Sequence, residues 1–402
     1  MSAALPFDEL ADRYLDARRS SNLLRSRRNF EPIDATHVRD AVTGRKLIAF
    51  CTNDYLGLAS HPRVAAALRD STAVGSGAAP LISGRSPAHA ELERTLADWK
   101  GVDDAVLLPS GYQANVAALQ AVAGVIEAAE RRPRFLLDKL AHASLIDAAR
   151  LVSSSRDSLR VFPHNDLEKL DRLLAERDAD QHDVIVTESV FSMDGDEALL
   201  REIAELKRRH RATLVLDEAH ATGLFGPSGA GLASELGVSR DVDVGIATLS
   251  KALGASGGAV YGSSAVVESV VNAGRAYLFS TATPPSLARA TCEAIAIARD
   301  EPERRARALA NARRLRDALI SRSLRVRSSD RSPIIPIELG DERAALDAAR
   351  SLEQQGFLVV AVRPPTVPRG TSRLRVTVSS EHSAEQISAL SDAIATSLSC
   401  GA

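Results

Sequence analysis

A chain of 402 residues, 45% hydrophobic and 25% charged, can bury a large core and is long enough for two or three domains. Its net charge of −2 gives no reason to expect nucleic acid or an anionic membrane as the main partner, and charges interrupt every apolar run well short of a membrane span. The first residues carry acids and no apolar leader core, and Cys51, Cys292 and Cys400 are too scattered for a disulfide framework or a metal motif, so a reduced, cytoplasmic enzyme is expected.

In chain order, residues 5–28 predict an arginine-rich helix, and RKLIAFCTNDYLGL predicts a strand running into a turn. GSGAAPLISGRSP predicts a glycine-rich loop. Ser86 then caps a helix over PAHAELERTLADWKG, with Pro87 at its first position and Gly101 past its end. Strands and helices alternate from there. DAVLLPS precedes GYQANVAALQAVAG, RFLLD precedes HASLIDAARL, DVIVTESV precedes ALLREIAELKRRH, and ATLVLD precedes EAHATGLFG, followed by VDVGIATLS and GGAVYG. Short Val/Ile/Leu runs between helices describe a mostly parallel sheet buried on both faces, with ligands beyond the carboxyl ends of its strands.

The pattern changes after about residue 285. PPSLARATCEAIAIARDEPERRARALANARRLRDALISRS predicts one long helix, and its arginines a solvated face. SPIIPIEL, FLVVAV and SRLRVTVSS predict strands around the helix ERAALDAARSLEQQG, and SAEQISALSDAIATSL a last helix. The expected division is an N-terminal arm over 1–50, a large α/β domain over 51–285 and a smaller C-terminal α+β domain over 286–402.

Three strand ends in the large domain finish on polar residues: Ser192 just past IVTESVF, Asp217 closing TLVLD, and Lys251 after GIATLS. A desolvated Lys251 amine is a nucleophile able to form an imine with an aldehyde. Asp217 can hold a proton on a heteroaromatic nitrogen. PSGYQAN opens a helix whose first amides, at Gly111 and Tyr112, suit a phosphate. Aldehyde, ring nitrogen and phosphate together describe pyridoxal phosphate. Each residue alone also fits a plainer role: a solvated lysine in a turn, an aspartate capping a turn, a serine capping a helix. Their order after consecutive strands favours one shared crevice.

LDEAHATGLFGPSGAG with TLSKALGASGG resembles the α-oxoamine synthases, pyridoxal-phosphate enzymes of the aspartate-aminotransferase fold, also called fold type I. FSMDGD, NDYLGL and LAHASLIDAA match the same family, and AVRPPTVPRGTSRLRVTVS looks most like its alanine-using branch. The resemblance implies a PLP-dependent transferase fold with a mostly parallel, seven-stranded large-domain sheet, no metal, and a homodimer with its site at the subunit interface. It implies L-alanine as one substrate and a pimeloyl thioester, of coenzyme A or of acyl-carrier protein, as the other.

Carried over residue by residue, the resemblance makes Lys251 the Schiff-base lysine and Asp217 the acid beside the pyridine nitrogen. It makes His220 the partner of the cofactor's phenolic oxygen and His142 the imidazole stacked on the ring. Ser192, Thr248, Ser250, Gly111 and Tyr112 become further cofactor contacts, and Thr281 of YLFSTATPP reaches the partner subunit's phosphate. Asn53 and Arg375 hold the amino-acid carboxylate, and Arg25 and Thr366 line the acyl site. Plainer readings stand beside these: His142 as a helix cap, His220 as a core histidine, Arg375 in an exposed salt bridge, Arg25 on a solvated basic face.

The chain departs from the family pattern at Ala78, Ala79 and Pro80, where many relatives carry polar residues, and at Ser189, where glycine is common. A sister synthase using glycine or serine is the nearest rival. A dinucleotide-binding dehydrogenase is disfavoured because GSGAAP lacks the third glycine of that fingerprint.

Overall fold

A computed structural model describes residues 5–70, 73–324, 326 and 328–399. The first helix covers Phe7–Ser20, shorter than expected, because Asn22 takes a left-handed conformation (φ 56°) that no helix can continue through. Three short strands follow, β1 (Phe30–Pro32), β2 (His37–Asp40) and β3 (Lys46–Ala49). Cys51 and Cys292 are free thiols, and Cys400 lies outside the described residues.

Backbone contacts divide the chain into two units. The larger runs from Asn53 to Leu309 with Ser379–Glu381. Its sheet is built from β4 (Asp104–Leu108), β5 (Arg132–Asp138), β6 (Leu159–Phe162), β7 (Gln181–Glu188), β8 (Thr213–Asp217), β9 (Val244–Thr248) and β10 (Gly258–Gly262). The seven strands lie in the order β4-β10-β9-β8-β7-β5-β6. All pairings are parallel except those of β10, which runs antiparallel to both β4 and β9. On one face Phe135, Val184, Val186, Val215, Ile246 and Val260 pack beneath the helices Gly111–Ala128 and Ala143–Val152. The first of these helices meets the sheet through alanines at 114, 117, 118 and 121, which let backbone and sheet approach closely.

Several sequence expectations hold at the level of single residues. Ser86 precedes the helix Pro87–Lys100, its amide donating to His89 Nδ1 at 3.0 Å, and Gly101 ends that helix at φ 70°. Others need correction. GSGAAPLISG, expected as a glycine-rich loop, instead holds a wide helical turn over Pro80–Gly84, with the Gly84 amide donating to the Ala79 carbonyl at 3.0 Å. EAHATGLFG is a run of turns, not a helix. Strand β6 has no counterpart among the expected strands.

The other unit comprises the chain up to Thr52, Ala310–Val378 and the residues from His382 on. Here β11 (Ile334–Gly340), β13 (Val360–Val362) and β14 (Ser372–Thr377) form an antiparallel sheet in the order β11-β14-β13. FLVVAV, expected as one strand, splits: β12 (Phe357–Leu358) joins β3 in parallel, and β13 joins β14. The long helix expected after residue 285 is two helices, Pro285–Asp300 and Pro302–Ile320. Pro302 has no amide to continue the first helix but suits the start of a second.

Candidate active site

Asp217 is the last residue of β8 and is buried. Asn115 Nδ2 donates to its Oδ2 at 2.8 Å and the Ala219 amide to its Oδ1 at 2.9 Å. The same Asn115 amide nitrogen lies 2.8 Å from Ser144 Oγ. Two donors on two oxygens keep the carboxylate fixed and accepting.

Beside it, His220 is buried in the turn that follows β8. Lys251 Nζ stands 3.0 Å from His220 Nε2, and the Tyr55 hydroxyl stands 2.8 Å from His220 Nδ1 and 3.0 Å from Asn53 Oδ1. One consistent direction of hydrogen bonding runs through these four: Lys251 donates to Nε2, Nδ1–H donates to the Tyr55 oxygen, and the Tyr55 hydroxyl donates to Asn53. In that direction the Nδ1 tautomer of His220 is the one that serves the chain. The sequence reading picked Asn53 from NDYLGL and passed over Tyr55 two residues on.

The turn after β9 aims Lys251. The Gly254 amide donates to the Lys251 carbonyl at 2.8 Å and the Ala255 amide to the Leu249 carbonyl at 3.0 Å. Gly254 adopts φ 62°, and a Cβ there would lie 2.2 Å from the Ala59 amide nitrogen. Only glycine fits both constraints.

His142 caps the helix Ala143–Val152, its Nδ1 accepting from the Ser144 amide at 3.2 Å and lying 2.7 Å from Ser144 Oγ. The capping role and a functional one coexist, because the cap uses only Nδ1 and the residue remains exposed. Desolvation pushes its pKa below the ordinary imidazole value, with Asp217 and Asp147 pulling it back up and Lys251 pushing it down.

The helix Gly111–Ala128 begins with Ser110 as its cap, and Ser110 Oγ accepts from the Gln113 amide at 3.2 Å. The amides of Gly111 and Tyr112 belong to the first turn, which has no intrahelical acceptors. A Cβ on Gly111 would lie 2.3 Å from Thr248 Oγ1, so the glycine is what brings the Thr248 hydroxyl to this helix end. The Tyr112 hydroxyl turns away, donating to Asp147 at 2.7 Å.

Ser192 is buried in the FSMDGD loop, a tight hairpin closed by the Val190–Glu197 bridge. His164 anchors that loop, with Nδ1 3.0 Å from Asp138 Oδ1 and Nε2 2.6 Å from Asp196 Oδ2. Ser189 is buried and its amide donates to the Asp217 carbonyl at 2.9 Å. Ser250 and Thr281 are exposed. The Thr281 loop is tied to the GSGAAP loop by the Ala282 amide donating to the Ala78 carbonyl at 3.0 Å.

The remaining expected residues belong to the other unit. Arg25 Nη2 lies 3.4 Å from Thr366 Oγ1 and from the carbonyls of Arg363 and Pro364, so the two residues expected to line an acyl site do meet. Arg375 lies on β14 and is only 8% exposed, which removes the exposed-salt-bridge reading. Burial raises the nearby Cys51 thiol to about 11, against the pull of the Arg375 charge.

These residues fit pyridoxal phosphate. A helix start held open by glycine suits the phosphate, the doubly anchored Asp217 suits a ring nitrogen, His220 suits a phenolic oxygen, and Lys251 suits an aldehyde carbon.

The aminotransferase class I and II family model matches residues 45–394. The 8-amino-7-oxononanoate synthase of Alkalilimnicola ehrlichii is 44% identical over 380 residues, covering 94% of both chains. Among solved structures, a serine palmitoyltransferase variant from S. paucimobilis with a bound PLP–myriocin aldimine superposes with a TM-score of 0.89 at 28% identity, covering 98% of each chain. An 8-amino-7-oxononanoate synthase from Francisella tularensis superposes with a TM-score of 0.75 at 25% identity, covering 88% of this chain and 98% of that one. The protein therefore belongs to the aminotransferase class I and II family, in its 8-amino-7-oxononanoate synthase branch, and its cofactor is pyridoxal phosphate.

Proposed function

We propose that the protein condenses L-alanine with a pimeloyl thioester, of coenzyme A or acyl-carrier protein, to give 8-amino-7-oxononanoate, carbon dioxide and the free thiol, a step in biotin synthesis. The alanine α-carbon bonds to the thioester carbonyl carbon as the thiol leaves, and the former alanine carboxylate departs as carbon dioxide. When bound, pyridoxal phosphate supplies an aldehyde carbon for amines and a protonated ring that withdraws electron density from the alanine α-carbon.

The protein's own groups do the rest. Asp217 holds the proton on the ring nitrogen, and its two fixed donors keep it aimed. Gly111, Tyr112, Thr248, Ser250 and Ser192 hold the cofactor. His220 steadies the phenolic oxygen, and Tyr55 steadies His220. Lys251 removes the alanine α-proton and returns a proton after decarboxylation. Arg375 and Asn53 hold the alanine carboxylate, the guanidinium through two parallel hydrogen bonds that fix the α-carbon. His142 covers the ring and donates to the thioester carbonyl, while Arg25 and Thr366 line the acyl site.

The observation that carries this reading is the meeting of Lys251 with His220 at the carboxyl end of the sheet where Asp217 terminates β8. Lys251→Ala is expected to abolish turnover and the visible-edge absorbance of the lysine-bound cofactor. Retained turnover in that variant sinks the assignment. Assays with alanine, glycine and serine against several acyl-CoAs, following carbon dioxide release, separate this reaction from those of sister synthases.

The protein acts as a homodimer in this reading, with Thr281 near the partner's phosphate. Its support is the exposure of Ile82 (80%) and Phe279 (72%) on two loops joined beside Thr281, apolar surface that a second copy would cover.

A further inference from the structure

Glu188 ends β7 opposite Asp217, which ends β8, in a parallel register that puts both side chains on the same face of neighbouring strands. Glu188 is 2% exposed, and its Oε1 is buried without a hydrogen-bond partner. The backbone amide of His142 favours the charged form of the Glu188 carboxyl. Asp217, by contrast, has a donor on each oxygen.

Two carboxylates at one desolvated corner cannot both carry charge without a large cost, and an anionic oxygen with no partner is the costlier place for it. Burial first, then the charge of Asp217, pushes the Glu188 carboxyl well above the ordinary range. Lys251 and the His142 amide oppose that push, and Asp138 adds to it.

We propose that Glu188 is a positioning residue of this site, a neutral carboxylic acid that stands beside Asp217 and next to the backbone of His142. The role rests on the reading of Asp217 and His142 given above. A neutral Glu188 adds no second charge beside Asp217, and its packing beside the His142 backbone bears on where that imidazole stands.

The test compares wild type, Glu188→Gln and Glu188→Ala, each with and without pyridoxal phosphate. Without the cofactor at about pH 8, Asp54, whose burial pushes it up to about 6, is ionised. There the infrared carbonyl band of a protonated carboxylic acid is expected in wild type and absent from Glu188→Gln.

Thermal unfolding of the cofactor-free proteins gives a second reading. An acid that is neutral when folded but ionises near its ordinary 4.5 when unfolded costs stability increasingly as pH rises above that value. The amide carries no such cost, so the Tm of Glu188→Gln minus that of wild type is expected to grow between about pH 5 and 8.

With the cofactor loaded, Glu188→Ala is expected to lower kcat about tenfold, the scale of one lost buried hydrogen bond, and Glu188→Gln to recover most of that. Persistence of the acid band in Glu188→Gln, a Tm difference that shrinks with pH, or a Gln variant as impaired as the Ala one overturns the proposal. The two cofactor-free measurements do not depend on the role of Lys251, so the two readings can fail separately.

Discussion

Tyr55 is the residue through which the site's hydrogen bonding reaches into the core. It is 1% exposed and its hydroxyl bridges His220 and Asn53. Tyr55→Phe keeps the ring packing and deletes these two bonds, so the fold should persist while His220 loses its fixed tautomer. A loss of kcat of about tenfold is expected, with KM for alanine changed far less and the stability lowered by the ~1 kcal/mol of a buried hydrogen bond. Steady-state kinetics and calorimetry on the single variant check this. At this scale, much of the site was legible. Lys251, Asp217 and His220 stand in short motifs whose order follows the strands, and strand order in sequence already suggests a shared edge. Tyr55, Asn115 and Glu188 were missed because nothing local marks them. Tyr55 reaches His220 across 165 positions and Asn115 reaches Asp217 across 102.

Among elements, the FSMDGD loop shows how a segment of the candidate site is held from outside. His164 joins Asp138 at the end of β5 to Asp196 within the loop, and Asn165 Nδ2 donates to the Glu197 carbonyl at 3.1 Å. Burial alone would lower the His164 pKa, but hydrogen bonds to the two aspartates raise it from 6.5 to about 10. A folded-state value above the unfolded one contributes stability that is complete below about pH 6.5 and is lost as pH rises through about 10. His164→Asn is therefore expected to cost about 2 kcal/mol at pH 7, with the gap to wild type closing as pH approaches 10. Denaturant titrations across that range check the sign. The element-scale errors have physical causes too. Pro302 breaks what hydrophobic periodicity reads as continuous helix. FLVVAV has the composition of one strand but is shared between two sheets, which local pattern does not encode.

At the scale of the molecule, the sheet order β4-β10-β9-β8-β7-β5-β6 gathers the ends of β7, β8 and β9 side by side, and with them Glu188, Asp217 and the turn to Lys251. A ligand held there binds the folded state alone. Pyridoxal phosphate at 100 times its dissociation constant adds about 2.7 kcal/mol, which for a protein of this size raises Tm by about 3–5 °C. Stripping the cofactor should lower the calorimetric Tm by that amount, and adding it back should restore it. Among the described residues no helix is long and apolar enough to cross a membrane. The sequence by itself determined the class of fold, the cofactor chemistry and the motif residues, because alternating short strands, glycine turns and strand-terminal polar groups are local properties. Only the tertiary structure decided that β10 runs against its neighbours, that β6 completes the sheet, and that Tyr55 lies beside His220 and Asn115 and Glu188 beside Asp217. Those facts depend on which distant segments come to lie side by side, and that is settled by packing both faces of one sheet at once.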